Sequence, residues 1–115
     1  LKVAACSNST CSASTVTTVD STGNVGSNTS IAIGPDGWPI IVYRNSSGAL
    51  HIAECENSTC AGKRTFLLDS RSDWIPLDTP STAIAITADG SRAIFYYYSS
   101  PDQVRGGYLA VLPAP

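Results

Sequence analysis

From residue 29 apolar and small polar positions alternate as Thr-Ser-Ile-Ala-Ile-Gly, break at Pro35-Asp36-Gly37, and resume as Pro39-Ile-Ile-Val-Tyr-Arg. A period of two is that of a strand. An Asp-Gly pair between two such runs predicts a tight hairpin, because glycine accepts the positive φ that the turn needs. Ala49–Cys55 and Arg64–Ser70 extend the pattern, reached through the turns Asn45-Ser-Ser-Gly and Cys55–Cys60. Four short strands with turns between them are therefore predicted here. No segment sustains a helical period and β-branched residues dominate, so the expected class is all-β.

The same pattern recurs along the chain. Leu1–Cys6 (LKVAAC) matches Leu50–Cys55 (LHIAEC), and Thr17–Ser21 matches Phe66–Ser70, both at a displacement of 49 residues. Thr29–Gly37 then matches Thr82–Gly90 at a displacement of 53. Pro39–Tyr43 corresponds to Arg92–Tyr96, and Ala49–Ala53 to Tyr108–Leu112 after an insertion at Ser100–Gly107. One domain over residues 1–115 is expected, with a partial unit at 1–24, a full unit at 25–77 and a partial unit at 78–115. That makes about nine strands, or about two and a quarter units.

Side-chain parity repeats with the units. Ile31 and Ile33 oppose Ser30 and Ala32, Leu1 and Val3 oppose Lys2 and Ala4, Leu50 and Ile52 oppose His51 and Ala53, and Ile84 and Ile86 oppose Ala83 and Ala85. Each sheet is thus expected to have one large aliphatic face and one small face, stacked face to back. A lone four-stranded sheet cannot cover its apolar side, so neighbours are required.

SIAIGPDGWPIIVY followed by LHIAEC resembles the tandem repeats of secreted β-propeller-type proteins of fungi and bacteria, over nearly all of the chain. The resemblance implies antiparallel four-stranded blades and no particular activity. The third copy departs from it, because no cysteines follow Tyr108–Leu112. A chain holding two and a quarter units falls short of the roughly four to eight blades of a closed ring. The missing surface is expected from neighbouring copies, from the rest of a longer precursor, or from a donated strand. Head-to-tail stacking then gives a ring if the rotation closes and a fibre if it does not. With no initiator methionine and no leader of charged start and apolar middle, the chain is expected to be processed or a piece of something longer.

Both Cys6–Cys11 (CSNSTC) and Cys55–Cys60 (CENSTC) enclose Asn-Ser-Thr. The spacing admits a zinc clip, but zinc needs four ligands and the one histidine, His51, sits in a strand pattern. A redox pair would more usually be Cys-x-x-Cys beside a βαβ pattern, which is missing. Two local disulfides, Cys6–Cys11 and Cys55–Cys60, remain as the expectation, each closing a hairpin and implying an oxidising compartment. Of five asparagines, Asn8, Asn28, Asn45 and Asn57 head Asn-x-Ser/Thr, and Asn24 does not. With Ser and Thr at roughly one residue in four, chance would supply about one such match. Serine-rich turns generate such triplets by accident; N-glycosylation in a secretory pathway is the functional alternative, with every acceptor expected in a loop.

Composition narrows the function. Net charge is −2 and charged residues make up 14% of the chain, with no basic cluster. Nucleic-acid and membrane-surface partners, which need a concentrated Lys/Arg footprint, are not expected. No cofactor, metal or catalytic residue is assigned. The nucleophile motifs are missing, and Asp36, Asp89, Asp20 and Asp69 fall at turns and equivalent strand ends. Trp38 and Trp74 are candidates for sugar stacking or for packing over a sheet edge. Tyr97 and Tyr98, in the uncharged run Ala93–Ser100, are candidates for contact with another chain. The expectation is a secreted, non-enzymatic glycoprotein that assembles with copies of itself into a fibre or multi-chain propeller. A carbohydrate-binding propeller lectin is the alternative.

Overall fold

The computed structural model describes residues 1–70, 82–99 and 105–114, with backbone alone for Tyr98, Ser99 and Arg105. Among these residues there are nine strands and no helix: β1 (Lys2–Cys6), β2 (Ser14–Thr18), β3 (Val25–Ile33), β4 (Pro39–Asn45), β5 (Leu50–Cys55), β6 (Lys63–Asp69), β7 (Thr82–Ile86), β8 (Arg92–Ser99) and β9 (Arg105–Leu112). They form three antiparallel sheets, β1-β2, β3-β4-β5-β6 and β7-β8-β9, each a simple meander. No sheet closes on itself and the described residues do not form a ring. The segment between the second and third sheets, with Trp74 and the expected unit boundary at 77–78, lies outside the described residues.

Turn chemistry follows the sequence closely. Gly37 has φ 88° and its amide donates to Gly34 O at 2.9 Å, while Asp36 Oδ1 accepts from the Trp38 amide at 3.0 Å. The turn at Asp89-Gly90 repeats this, with Gly90 at φ 83° and the Ser91 amide donating to Asp89 Oδ1 at 3.0 Å. The hydroxyl of Thr87 and the amide of Ser91 hold the Asp89 carboxyl down at about 2. Both aspartates serve their own hairpins.

The second sheet is the middle layer. One of its faces, with Ile41, Tyr43, Ala53 and Cys55, packs on Val3 and Val19 of the first sheet. The other, with Ile40, Val42, Leu50 and Ile52, packs on Ile94 and Tyr96 of the third. β4 lies within both seams, and residues 39–44 are all buried. Burying one such aliphatic side chain stabilises by about 1.5–3 kcal/mol, so these two seams supply most of the driving force.

The faces differ from the expectation of one large and one small side per sheet. Cross-strand partners share a face. Ile31 pairs with Ile41 and Ile41 with Ala53, whereas Ala32 pairs with Ile40 and Val42 with Ile52. The large residues of β3 and β5 therefore point to opposite sides of one sheet. Large-on-small fit is made strand by strand instead. Val3 clusters with Ala53, and Ile84 and Ile86 of β7 come against the side of β3 that carries Ser30 and Ala32, where the Ile84 amide donates to Ser30 Oγ at 3.3 Å.

One repeat match also shifts. His51 lies opposite Tyr43 and stacks on it at 5.4 Å, and Tyr108 lies opposite Tyr96 and stacks on it at 5.6 Å. The counterpart of Tyr108 is thus His51 rather than Ala49, a slip of two residues that preserves parity. Ile52 and Glu54 then correspond to Leu109 and Val111.

Candidate functional site

With this register the two sides of the third sheet are defined. Ile94, Tyr96, Tyr108 and Ala110 turn toward the second sheet, while Phe95, Leu109 and Val111 turn away from it. On the second sheet the matching positions are Val42, Ile52 and Glu54, which are 0%, 2% and 7% exposed beneath the third sheet. Phe95, Leu109 and Val111 are 49%, 67% and 60% exposed. The same positions are thus sealed in one layer and open in the next. Half-exposed Tyr97 lies on this open face, and the Phe95 ring covers Gly107, where a Cβ would stand 2.3 Å from the ring.

Among the described residues each end of the stack also has a strand edge without a partner strand. β9 pairs, among the described residues, only with β8, and beside it runs a groove of about 380 Å³ lined by Ile52, Phe66, Leu68 and Leu112 together with the charged Glu54, Arg64 and Arg92. Among the described residues β1 pairs only with β2, beside a recess of about 350 Å³ lined by Leu1, Val3, Ile31 and Ile41 with Lys2, Thr29 and Ser30. Ile31 and Ile33 are 56% and 58% exposed there. Their counterparts Ile84 and Ile86 are partly buried against the second sheet. An edge strand beside a partly apolar groove is the combination that accepts an added strand or sheet.

Two equivalent polar latches hold the seams. Tyr43 Oη donates to Asp20 Oδ2 at 2.7 Å, from the second sheet to the end of the first, and Tyr96 Oη donates to Asp69 Oδ2 at 2.9 Å, from the third to the second. Burial works against the Asp20 carboxylate, but the Thr22 amide and the Tyr43 phenol outweigh it, leaving Asp20 below its ordinary 3.8. Burial, then the carboxylate, push the Tyr43 phenol well above its ordinary 10.0. A lowered acid contributes stability that is present above 3.8 and lost as pH falls through its folded value. A raised phenol contributes stability that is present below 10.0 and lost as pH climbs past it. Tyr43→Phe is expected to cost about 1 kcal/mol on the plateau between those limits and to flatten both shoulders. Thermal unfolding followed against pH reads this; unchanged shoulders would contradict it.

The cysteines form two disulfides, Cys6–Cys11 with Cα atoms 4.8 Å apart and Cys55–Cys60 with 4.7 Å. They staple the β1–β2 and β5–β6 hairpins, and Cys11 and Cys60 both take left-handed backbone, with φ 52° and 57°. Asn8 Oδ1 accepts from the Thr10 hydroxyl and the Ser12 amide, and Asn57 Oδ1 from the Thr59 hydroxyl and the Ala61 amide. Asn45, the last residue of β4, accepts from Ser47 and from the Ala49 amide. These three sit at hairpin tips as expected. Asn28 does not. It lies inside β3 where the pairing register shifts, with φ 50°, and its carbonyl accepts from Thr82 of the third sheet. Asparagine tolerates left-handed backbone better than most residues, so this position is explained by a β-bulge.

The aromatic candidates separate. Trp38 is half-buried and packed on the core between the first two sheets. The side chain of Tyr98 and all of Trp74 lie outside the described residues. Among the described residues no group of three or more His, Cys, Asp or Glu side chains is placed to hold a metal ion. A shallow recess of about 210 Å³ beside Trp38 carries Asp36, Glu54, Glu56 and Arg64, with Arg64 contacting Glu54 at 3.4 Å and Glu56 at 3.5 Å. Comparison with protein-family models, curated proteins and solved structures gives no match to this chain.

Proposed function

We propose that this chain is a secreted, disulfide-stapled, N-glycosylated β-repeat protein of propeller type, non-enzymatic, whose work is association with copies of itself. The observation that carries the reading is the contrast between Ile52, 2% exposed, and its counterpart Leu109, 67% exposed. The chain itself supplies the rule for what covers such a face, since the second sheet is sealed by a third of the same kind. The occupant is a second copy presenting its first sheet. There Ala4 stands where Ala53 stands in the second sheet, and Ala53, 0% exposed, belongs to the surface that receives Val3. Val16, opposite Ala4 and 61% exposed, widens the apolar contact. The low charge of −2 places little repulsion in the way, and the two disulfides suit an extracellular setting.

Sedimentation velocity over a range of concentrations, with negative-stain microscopy of the heaviest fraction, tests the proposal. Reversible growth into rings or filaments is the expected outcome. A discrete monomer at every concentration would overturn it and leave a longer parent chain as the source of the covering sheet.

A further inference from the structure

The four Asn-x-Ser/Thr triplets are equal in sequence, but the fold separates them into two pairs. We infer that N-linked glycans are carried at Asn8 and Asn57 alone, while Asn28 and Asn45 are structural asparagines that stay unmodified; this rests on the glycoprotein reading above. Asn8 and Asn57 occupy matching places in the two stapled hairpins. Asn8 is exposed, and its amide nitrogen reaches only the exposed Ser12 hydroxyl, at 2.6 Å, so its second hydrogen is open to solvent. At Asn57 the neighbour across the hairpin is Gly62, where even a Cβ would stand 3.2 Å from the amide nitrogen. Asn57 is itself half-buried, and the missing side chain keeps Gly62 from crowding that nitrogen further. In both turns, as at Asn45, the hydroxyl two residues on donates to the asparagine carbonyl oxygen, at 2.9 and 3.0 Å, so the two pairs differ in what surrounds the amide nitrogen.

The other two have different surroundings. Asn45 Nδ2 lies 3.4 Å from His51 Nε2, and the His51 ring stacks on Tyr43 in the seam between the first and second sheets. A sugar on that nitrogen would enter the ring stack. Asn28 is half-buried, and its backbone carbonyl is held by Thr82 where β3 meets β7. A sugar on a residue rooted in that junction would crowd the contact of β3 with β7.

The transfer itself is ordinary substitution. The asparagine amide nitrogen bonds to the anomeric carbon of an oligosaccharide carried on a lipid diphosphate, the bond from that carbon to the diphosphate oxygen breaks, and the diphosphate leaves with the electron pair. The amide proton passes to a carboxylate of the transferring enzyme. Glycans at Asn8 and Asn57 would leave the open face of the third sheet uncovered.

The test is expression of the full chain in a secretory eukaryotic host, enzymatic removal of glycans in heavy-oxygen water, and peptide mapping. Each asparagine that bore a glycan becomes a heavy aspartate. Label at residues 8 and 57 only supports the inference. Label at 28 or 45 overturns it while leaving the glycoprotein reading intact. No label at any of the four overturns both.

Discussion

Replacing Glu54 with alanine is expected to destabilise the protein by about 3–5 kcal/mol, because it leaves the Arg92 guanidinium buried without its counter-charge. Arg92 and Glu54 form an ion pair across the seam between the second and third sheets, with side chains only 9% and 10% exposed. Burial alone already works against the Arg92 charge. The remaining partner, Pro113 O at 2.7 Å, is a neutral carbonyl. Against a usual domain stability of about 5–15 kcal/mol the loss is a large fraction. Urea unfolding should show the midpoint fall steeply in the single variant. The double variant Glu54→Leu with Arg92→Met should recover most of the loss, since an apolar pair of similar volume avoids the desolvation of both charges. Arg64, which also contacts Glu54 but has a side chain 58% exposed, should matter far less: Arg64→Ala is expected to cost about 0–1 kcal/mol. A Glu54→Ala protein as stable as the parent would mean that the ion pair does not hold the seam.

The second large effect concerns association. Leu109→Lys with Val111→Lys is expected to abolish self-association and leave the fold of the single chain intact. The two side chains are 67% and 60% exposed, so the isolated chain loses little packing when they change, within about 0.5 kcal/mol. In an associated state each would bury about 1.5–3 kcal/mol of apolar surface. Their joint removal should weaken the contact by about two to four powers of ten before the cost of burying two ammonium groups is counted. Sedimentation velocity should return one slow species at concentrations where the parent grows. The same change at Ile52, which is 2% exposed on the equivalent face, should instead unfold the chain. Undiminished growth of the double-lysine variant would rule out this face as the contact.

Much of the fold was legible in the pattern of residues. Alternation and the Asp-Gly turns locate the strands, and the repeated Cys-x4-Cys pairs anticipate both staples, because each of these depends on neighbours a few positions apart. The latches were also within reach. Asp20 and Asp69 are displaced by 49 residues and Tyr43 and Tyr96 by 53, so an acid and a phenol recurring together could have suggested that they meet. Other features were out of reach for physical reasons. Parity within one strand says nothing about its neighbour, since a one-residue change in register moves every side chain to the opposite face. Hence the opposed large faces of β3 and β5 required the pairing itself. The Glu54–Arg92 pair has no counterpart elsewhere in the chain, so comparing copies could not expose it. Asn28 has the same triplet as a hairpin asparagine, and only the bulge tells them apart.

The two staples have a consequence for how the chain would age outside a cell. Each joins residues five positions apart at the tip of a hairpin, the kind of exposed turn that proteases cut first. Scission inside either loop would leave both flanking strands covalently tethered and their ladders unbroken. Such a nicked molecule would run as intact on a non-reducing gel and come apart only after a reductant is added.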